Sequence, residues 1–143
     1  MGVSDPADLA AGLYAAYNRH DPAGVGTLYH AEGTHRDIAQ DRTIHGPAAI
    51  AEGLRRFFTW FPDAHWEPRS QIVDPGGLVA VTYLLTATLQ APMGPVPARG
   101  QRLSLHGVHV LQPDGDRIRA SEDYWDAATF HRQMSHTNPG GTA

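Results

Sequence analysis

At 143 residues, 41% of them apolar and 18% charged, the chain has the length and composition of one folded domain, neither disordered nor fibrous. Eleven basic against fifteen acidic residues leave a net charge of −4 and no basic run, which argues against nucleic acid or an anionic membrane as partner. Cys and Lys are both absent, which excludes disulfides, thiolate nucleophiles, thiolate metal sites and Schiff-base chemistry within this chain.

The first elements read as helices. Asp5 is a capping residue with Pro6 at the first helical position, and Leu9, Leu13, Ala16 and Tyr17 then form one apolar stripe. Asp21-Pro22 repeats the signal and predicts a short helix through Leu28 and Tyr29. Residues 34–37 read as a short strand. Gly46-Pro47 opens a third helix with Ile50, Leu54, Phe57, Phe58 and Phe61 on one side, and Glu52, Arg55 and Arg56 largely on the other.

From Phe61-Pro62-Asp63 onward the pattern changes to strand. Residues 78–89 are rich in Val, Thr, Leu and Tyr, and residues 102–111 form another strand. Pro113-Asp114-Gly115-Asp116 predicts a hairpin turn, with 117–125 returning antiparallel. Residues 127–134 form a last short helix, and 135–143 a frayed tail. Helices first and antiparallel strands second define an α+β chain. A curved sheet around a long helix leaves a cone whose open end suits a small apolar ligand. The alternating Val79, Val81 and Tyr83 are expected to give that sheet an apolar outward face, covered by a second copy in a homodimer or higher homo-oligomer. No apolar run is long enough to span a membrane, and residues 1–9 show no leader pattern, so the expected location is the cytoplasm.

Nine His residues raise the question of metal or base chemistry. His106 and His109 are three apart on one strand and face opposite sides, so they do not jointly chelate, and no metal-ligand spacing occurs elsewhere. His20, His45, His131 and His136 read as surface or structural. The last strand is more informative. Asp123 shares a face with Ser121 and Trp125, while Glu122 shares one with Tyr124 and Asp126. Asp126 reads as the cap of the last helix and Glu122 as solvent-facing, which leaves Asp123 as the acid beside a Trp in the cavity. Desolvation there raises a carboxyl pKa toward neutrality. A turn at 113–115 sets His109 opposite Arg119, and a turn at 113–116 sets His106 opposite Asp123; both registers stay open.

An ordered set of motifs runs along the chain: Tyr17-Asn18-Arg19-His20-Asp21-Pro22, then Gly46-Pro47 before an apolar helix and Phe61-Pro62-Asp63-Ala64-His65. Gly94-Pro95-Val96-Pro97-Ala98-Arg99-Gly100 and the closing Gly115-Asp116-Arg117-Ile118 and Glu122-Asp123-Tyr124-Trp125-Asp126 follow. Together they resemble the nuclear-transport-factor-2-like cone and, within it, the SnoaL-like polyketide cyclases. The resemblance covers about residues 8–134 of a single domain, 1–143. It implies ring closure of an aromatic polyketide intermediate by intramolecular aldol condensation, as in antibiotic biosynthesis, with no metal and no cofactor. It further implies Asp123 as the catalytic acid–base group, aided by His109. The implied substrate is apolar or aromatic, with walls from Tyr14, Tyr17, Phe57 and Phe61. His35, Tyr83 and Trp125 complete the expected pocket, with His106 as a further substrate contact. The same fold hosts ketosteroid isomerases, hydroxylation-assisting proteins and non-catalytic binding domains. It also hosts epoxide hydrolases, whose Asp–Arg–Asp relay has Asp37, Arg99 or Arg119, and Asp123 as candidates here.

Overall fold

A computed structural model describes residues 5–136. Asp5 accepts a hydrogen bond from the Ala7 backbone at 2.9 Å and caps α1 (Pro6–Asn18), whose stripe of Leu9, Leu13, Ala16 and Tyr17 is buried as predicted. Asp21 caps the short α2 (Pro22–Thr27) in the same way. The chain then forms β1 (Tyr29–Asp37), β2 (Arg42–His45), α3 (Pro47–Trp60), β3 (His65–Val73) and β4 (Val79–Thr88). β5 (Arg102–Asp114), β6 (Arg117–Trp125) and α4 (Ala127–Ser135) complete it. No helix among the described residues is long and apolar enough to cross a membrane. The part of the expected tail beyond residue 136 lies outside the described residues.

All six strands belong to one curved sheet in the order β2-β1-β6-β5-β4-β3, and β1 with β6 is its parallel pair. The inner face of β4 carries Val79, Val81, Tyr83, Leu85 and Ala87, all buried. The facing positions of β5 are Leu103, Leu105, Gly107, His109 and Leu111. This overturns the expectation that Val79, Val81 and Tyr83 form an outward apolar face. They are the core, because the helices cover this side of the sheet. Two side-chain amides tie the layers together. Asn18 at the end of α1 both donates to and accepts from the Trp66 backbone, at 2.8 and 2.9 Å. Buried Gln101 bonds the carbonyls of Pro97 and Met134, at 2.8 and 3.0 Å, and accepts from the Arg99 backbone at 2.6 Å.

The closing hairpin corrects both sequence registers. Its turn is Gly115-Asp116 alone, with Gly115 at φ 64° and Asp114 opposite Arg117. Pro113 pairs with Ile118 but Gln112 with Ala120, so Arg119 is an extra residue on β6. That bulge brings His109 directly opposite Asp123 and leaves His106 two positions beyond Val108, which pairs with Tyr124.

Candidate active site

A cavity of about 400 Å³ opens between the inner sheet face, α3 and α4. Aromatic rings dominate it: Tyr17, Phe57, Phe61, Phe130 and all three tryptophans, Trp60, Trp66 and Trp125. Leu54, Leu85, Leu103 and Met93 fill the spaces between. Several of its polar groups come from the part of the sheet where β1 and β6 run side by side. His35 pairs with Ser121 and Asp37 with Asp123, and His35, Asp37 and Asp123 all line the cavity.

Asp123 is half-buried and lines the cavity. Desolvation pushes its pKa up, against the opposing effects of nearby His35 and a hydrogen bond from Tyr83. Asp37 is also raised, by burial and by the charge of Asp123, while its hydrogen bonds to Gln40 and Trp125 and the charge of Arg42 pull the other way. His35 is pushed down to about 4, chiefly by burial, so it is neutral near pH 7. Its Nδ1 lies 2.7 Å from the Ser121 hydroxyl, which is itself 2.6 Å from the Tyr29 hydroxyl. Ser121 and Tyr29 are both buried, so this row fixes the plane of the His35 ring. Burial raises the pKa of Tyr14, Tyr17, Tyr29 and Tyr83, so all four are neutral phenols.

Tyr83 reaches Asp123 from two strands away. It stands on β4 opposite Gly107 of β5, which in turn stands opposite Trp125 of β6. Its hydroxyl donates to an Asp123 carboxylate oxygen at 2.7 Å. The ring crosses β5 over Gly107, where a methyl group would overlap both the Tyr83 hydroxyl and its ring carbons. The absent side chain is therefore what makes the contact sterically possible.

Of the residues expected at the site, Asp123, His35, Tyr17, Phe57, Phe61, Tyr83 and Trp125 come together on the cavity wall. His109 does not reach that wall. It is 2% exposed, stacked on Tyr17 and edge-on to Tyr14 and His35, with Nδ1 3.3 Å from the Tyr14 hydroxyl. Burial alone lowers its pKa to about 4, and its buried Nε2 has no partner among the described residues. Tyr14, expected as a wall, sits behind it and serves His109 instead. His106 is corrected outright: it is exposed on the opposite face of the sheet, beside Arg69 and Tyr124, because two residues separate it from inward-facing His109. His131, read as surface or structural, is exposed and also lines the cavity, because α4 folds back over its end. Arg56, which the helix pattern sets away from the apolar side of α3, is exposed and lines it as well, as does Arg42.

Glu122 bonds Tyr124 away from the cavity, and Asp126 caps α4 through Ala128 and Thr129, both as expected. The arginines considered for an Asp–Arg–Asp relay are committed elsewhere. Arg99 donates to the carbonyls of Met134 and Ser135, and Arg119 pairs with Asp114. Among the described residues, no group of three or more His, Asp or Glu side chains is placed to hold a metal ion.

A sheet curved over helices, with a carboxyl and an imidazole on the wall of an aromatic cavity, defines an α+β cone. Solved structures share this fold. A candidate SnoaL-like polyketide cyclase from Shewanella denitrificans is 20% identical and superposes with a TM-score of 0.81, covering 90% of this chain and 96% of the other. IdmH, a candidate polyketide cyclase from Streptomyces antibioticus, gives 18% and 0.80, covering 93% and 100%. AclR, a candidate hydroxylase from Streptomyces galilaeus, gives 23% and 0.78, covering 90% and 83%. No curated protein sequence matches the chain. The family model for SnoaL-like polyketide cyclases matches residues 7–134, and the chain belongs to that family.

Proposed function

We propose that this protein closes a ring in an aromatic polyketide intermediate by intramolecular aldol condensation, with Asp123 as its acid–base group and no cofactor. The observation that carries the reading is Asp123: a carboxyl of raised pKa, held by one phenol, on the wall of an aromatic cavity. Its carboxylate removes a proton from a substrate carbon flanked by carbonyls. The enolate, delocalised through the substrate's own conjugation, attacks a second carbonyl carbon of the same molecule. One carbon–carbon bond forms, and the electron pair of that carbonyl moves onto its oxygen. Protonated Asp123 returns its proton to this alkoxide and is ready for the next turnover. The aromatic walls hold the flexible chain in the folded shape that the new bond requires. Neutral His35 offers a hydrogen-bonding nitrogen beside Asp123, and His109, behind the wall, fixes Tyr14, Tyr17 and the His35 ring in place. A pocket that only bound its ligand would have no use for a proton-exchanging group at this position, which favours catalysis over binding.

The test is Asp123→Asn. Turnover of a linear polyketone precursor is expected to fall about 100- to 10,000-fold while its affinity stays within a few-fold. His109→Ala is expected to cost less, since it does not meet the cavity. EDTA is expected to leave the rate unchanged. Activity that chelation abolishes and a divalent cation restores would overturn the mechanism, and full activity in Asp123→Asn would overturn the residue assignment. The proposal includes a homo-oligomer, now supported by exposed Ile72, Val73 and Leu78 where β3 turns into β4. Light scattering that gave the 15.5 kDa monomer mass would refute it.

A further inference from the structure

Arg42 and Arg56 stand apart from the rest of the chain's charge. Every other arginine holds a carboxylate, a carbonyl or a hydroxyl. The guanidinium groups of Arg42 and Arg56 make no hydrogen bond or ion pair among the described residues, and these are the two arginines that line the cavity. Arg42 even lies across the β1–β2 ladder from Asp37 without pairing with it. Both are exposed, so they mark the mouth, whereas Asp123 lies deeper.

Their placement is joint. Ile44 of β2 packs toward Gly53 of α3, where an added Cβ would be 3.7 Å from the Ile44 Cδ1 atom. Arg42 is two residues from Ile44 on the same strand face, and Arg56 is three residues from Gly53 on the same helix face. Two cations with no hydrogen bond or ion pair among the described residues thus flank one contact at the rim of a mainly aromatic cavity, Arg42 acting on Asp37 and His35 through its charge alone. A guanidinium presents a planar fork of donors that matches a carboxylate, and the rim offers two such forks.

We propose that the ligand of this cavity is an aromatic molecule with a free carboxylate, which Arg42 and Arg56 hold at the mouth while the reacting end faces Asp123. The inference rests on the cyclase reading for that reacting end, and it narrows the substrate class from aromatic polyketides in general to acids.

All three tryptophans line the cavity, so their fluorescence reports occupancy directly. Naphthoate and its methyl ester serve as the probes, titrated into the wild-type protein, Arg42→Gln/Arg56→Gln and Arg42→Lys/Arg56→Lys. Naphthoate is expected to bind about tenfold more tightly than the ester at low salt. The Gln pair is expected to erase that preference while leaving the ester's affinity unchanged, and the Lys pair to keep part of it. Equal or tighter binding of the ester, or a preference that survives in the Gln pair, overturns this inference and leaves the cyclase reading intact. Failure of both probes to quench any tryptophan removes the aromatic-pocket reading itself, and the carboxylate site with it.

Discussion

The contact between Tyr83 and Asp123 depends on a residue that touches no substrate. A donated hydrogen bond favours the carboxylate over the acid, so Tyr83 holds the Asp123 pKa below the level that burial alone would set. Hydrogen bonds to charged groups contribute about 1.5–3 kcal/mol, so the loss of this one is large enough to read in a titration. Tyr83→Phe is therefore expected to raise the Asp123 pKa further, moving the acid limb of the ring-closure rate to higher pH. Gly107→Ala is expected to do the same from the other side, because its methyl group displaces the Tyr83 ring. The double variant should shift the limb no further than either single change, since both remove one interaction. A carboxyl-carbon NMR titration of Asp123 reads the shift without any substrate. A limb or titration that stays in place in both variants would show that Tyr83 does not set the proton affinity of Asp123.

The element most open to test is α4, which carries Phe130 and His131 onto the cavity wall. Its C-terminal turn is held to the loop before β5 by Gln101, a fully buried amide. Gln101→Ala would leave two carbonyls and one N–H without that partner, at a cost of about 3 kcal/mol in a urea unfolding experiment. Binding of cavity ligands should weaken with it, and an unchanged unfolding midpoint would contradict the role. Much of this framework could be read from the chain. The buried stripe of α1, the caps at Asp5, Asp21 and Asp126, and the limits of β6 are local patterns that local residues determine. What escaped was long-range. β2 is four residues long and, among the described residues, pairs with β1 alone, so it lacks a periodic signature of its own. The bulge at Arg119 moves the hairpin register, so no turn signal could choose the partner of Asp123. Asp37 meets Asp123 through a parallel pairing across most of the chain, and His131 meets the cavity only because α4 folds back. The candidate acid was legible because an alternating strand placed it beside Trp125, whereas its phenol donor lay two strands away.

At the scale of the whole molecule, the site makes folding sensitive to acid. His35 and His109 fall to about 4 in the folded protein, from about 6.5 in an unfolded chain. A lowered His pKa means the unfolded state binds the proton first, so the stabilisation is present above pH 6.5 and is lost as pH falls toward 4. Each shift is equivalent to roughly 3 kcal/mol, a large share of the 5–15 kcal/mol typical of a domain. Asp123 works in the opposite direction: its raised pKa adds stability as it takes up a proton, which offsets part of the loss. His109 gives the cleaner test, because burial is the one cause of its shift, whereas His35 also feels Asp123, His109 and Arg42. In wild-type protein, the urea midpoint is expected to drop steeply between about pH 6.5 and pH 4. His109→Gln has no proton to take up there. It should be less stable at neutral pH, because a buried ring packed by Tyr14 and Tyr17 is lost, yet its stability should depend less on pH by up to one proton's worth of slope. Parallel wild-type and variant curves across that range would mean that His109 titrates alike in both states, and its burial would then not be a source of acid lability.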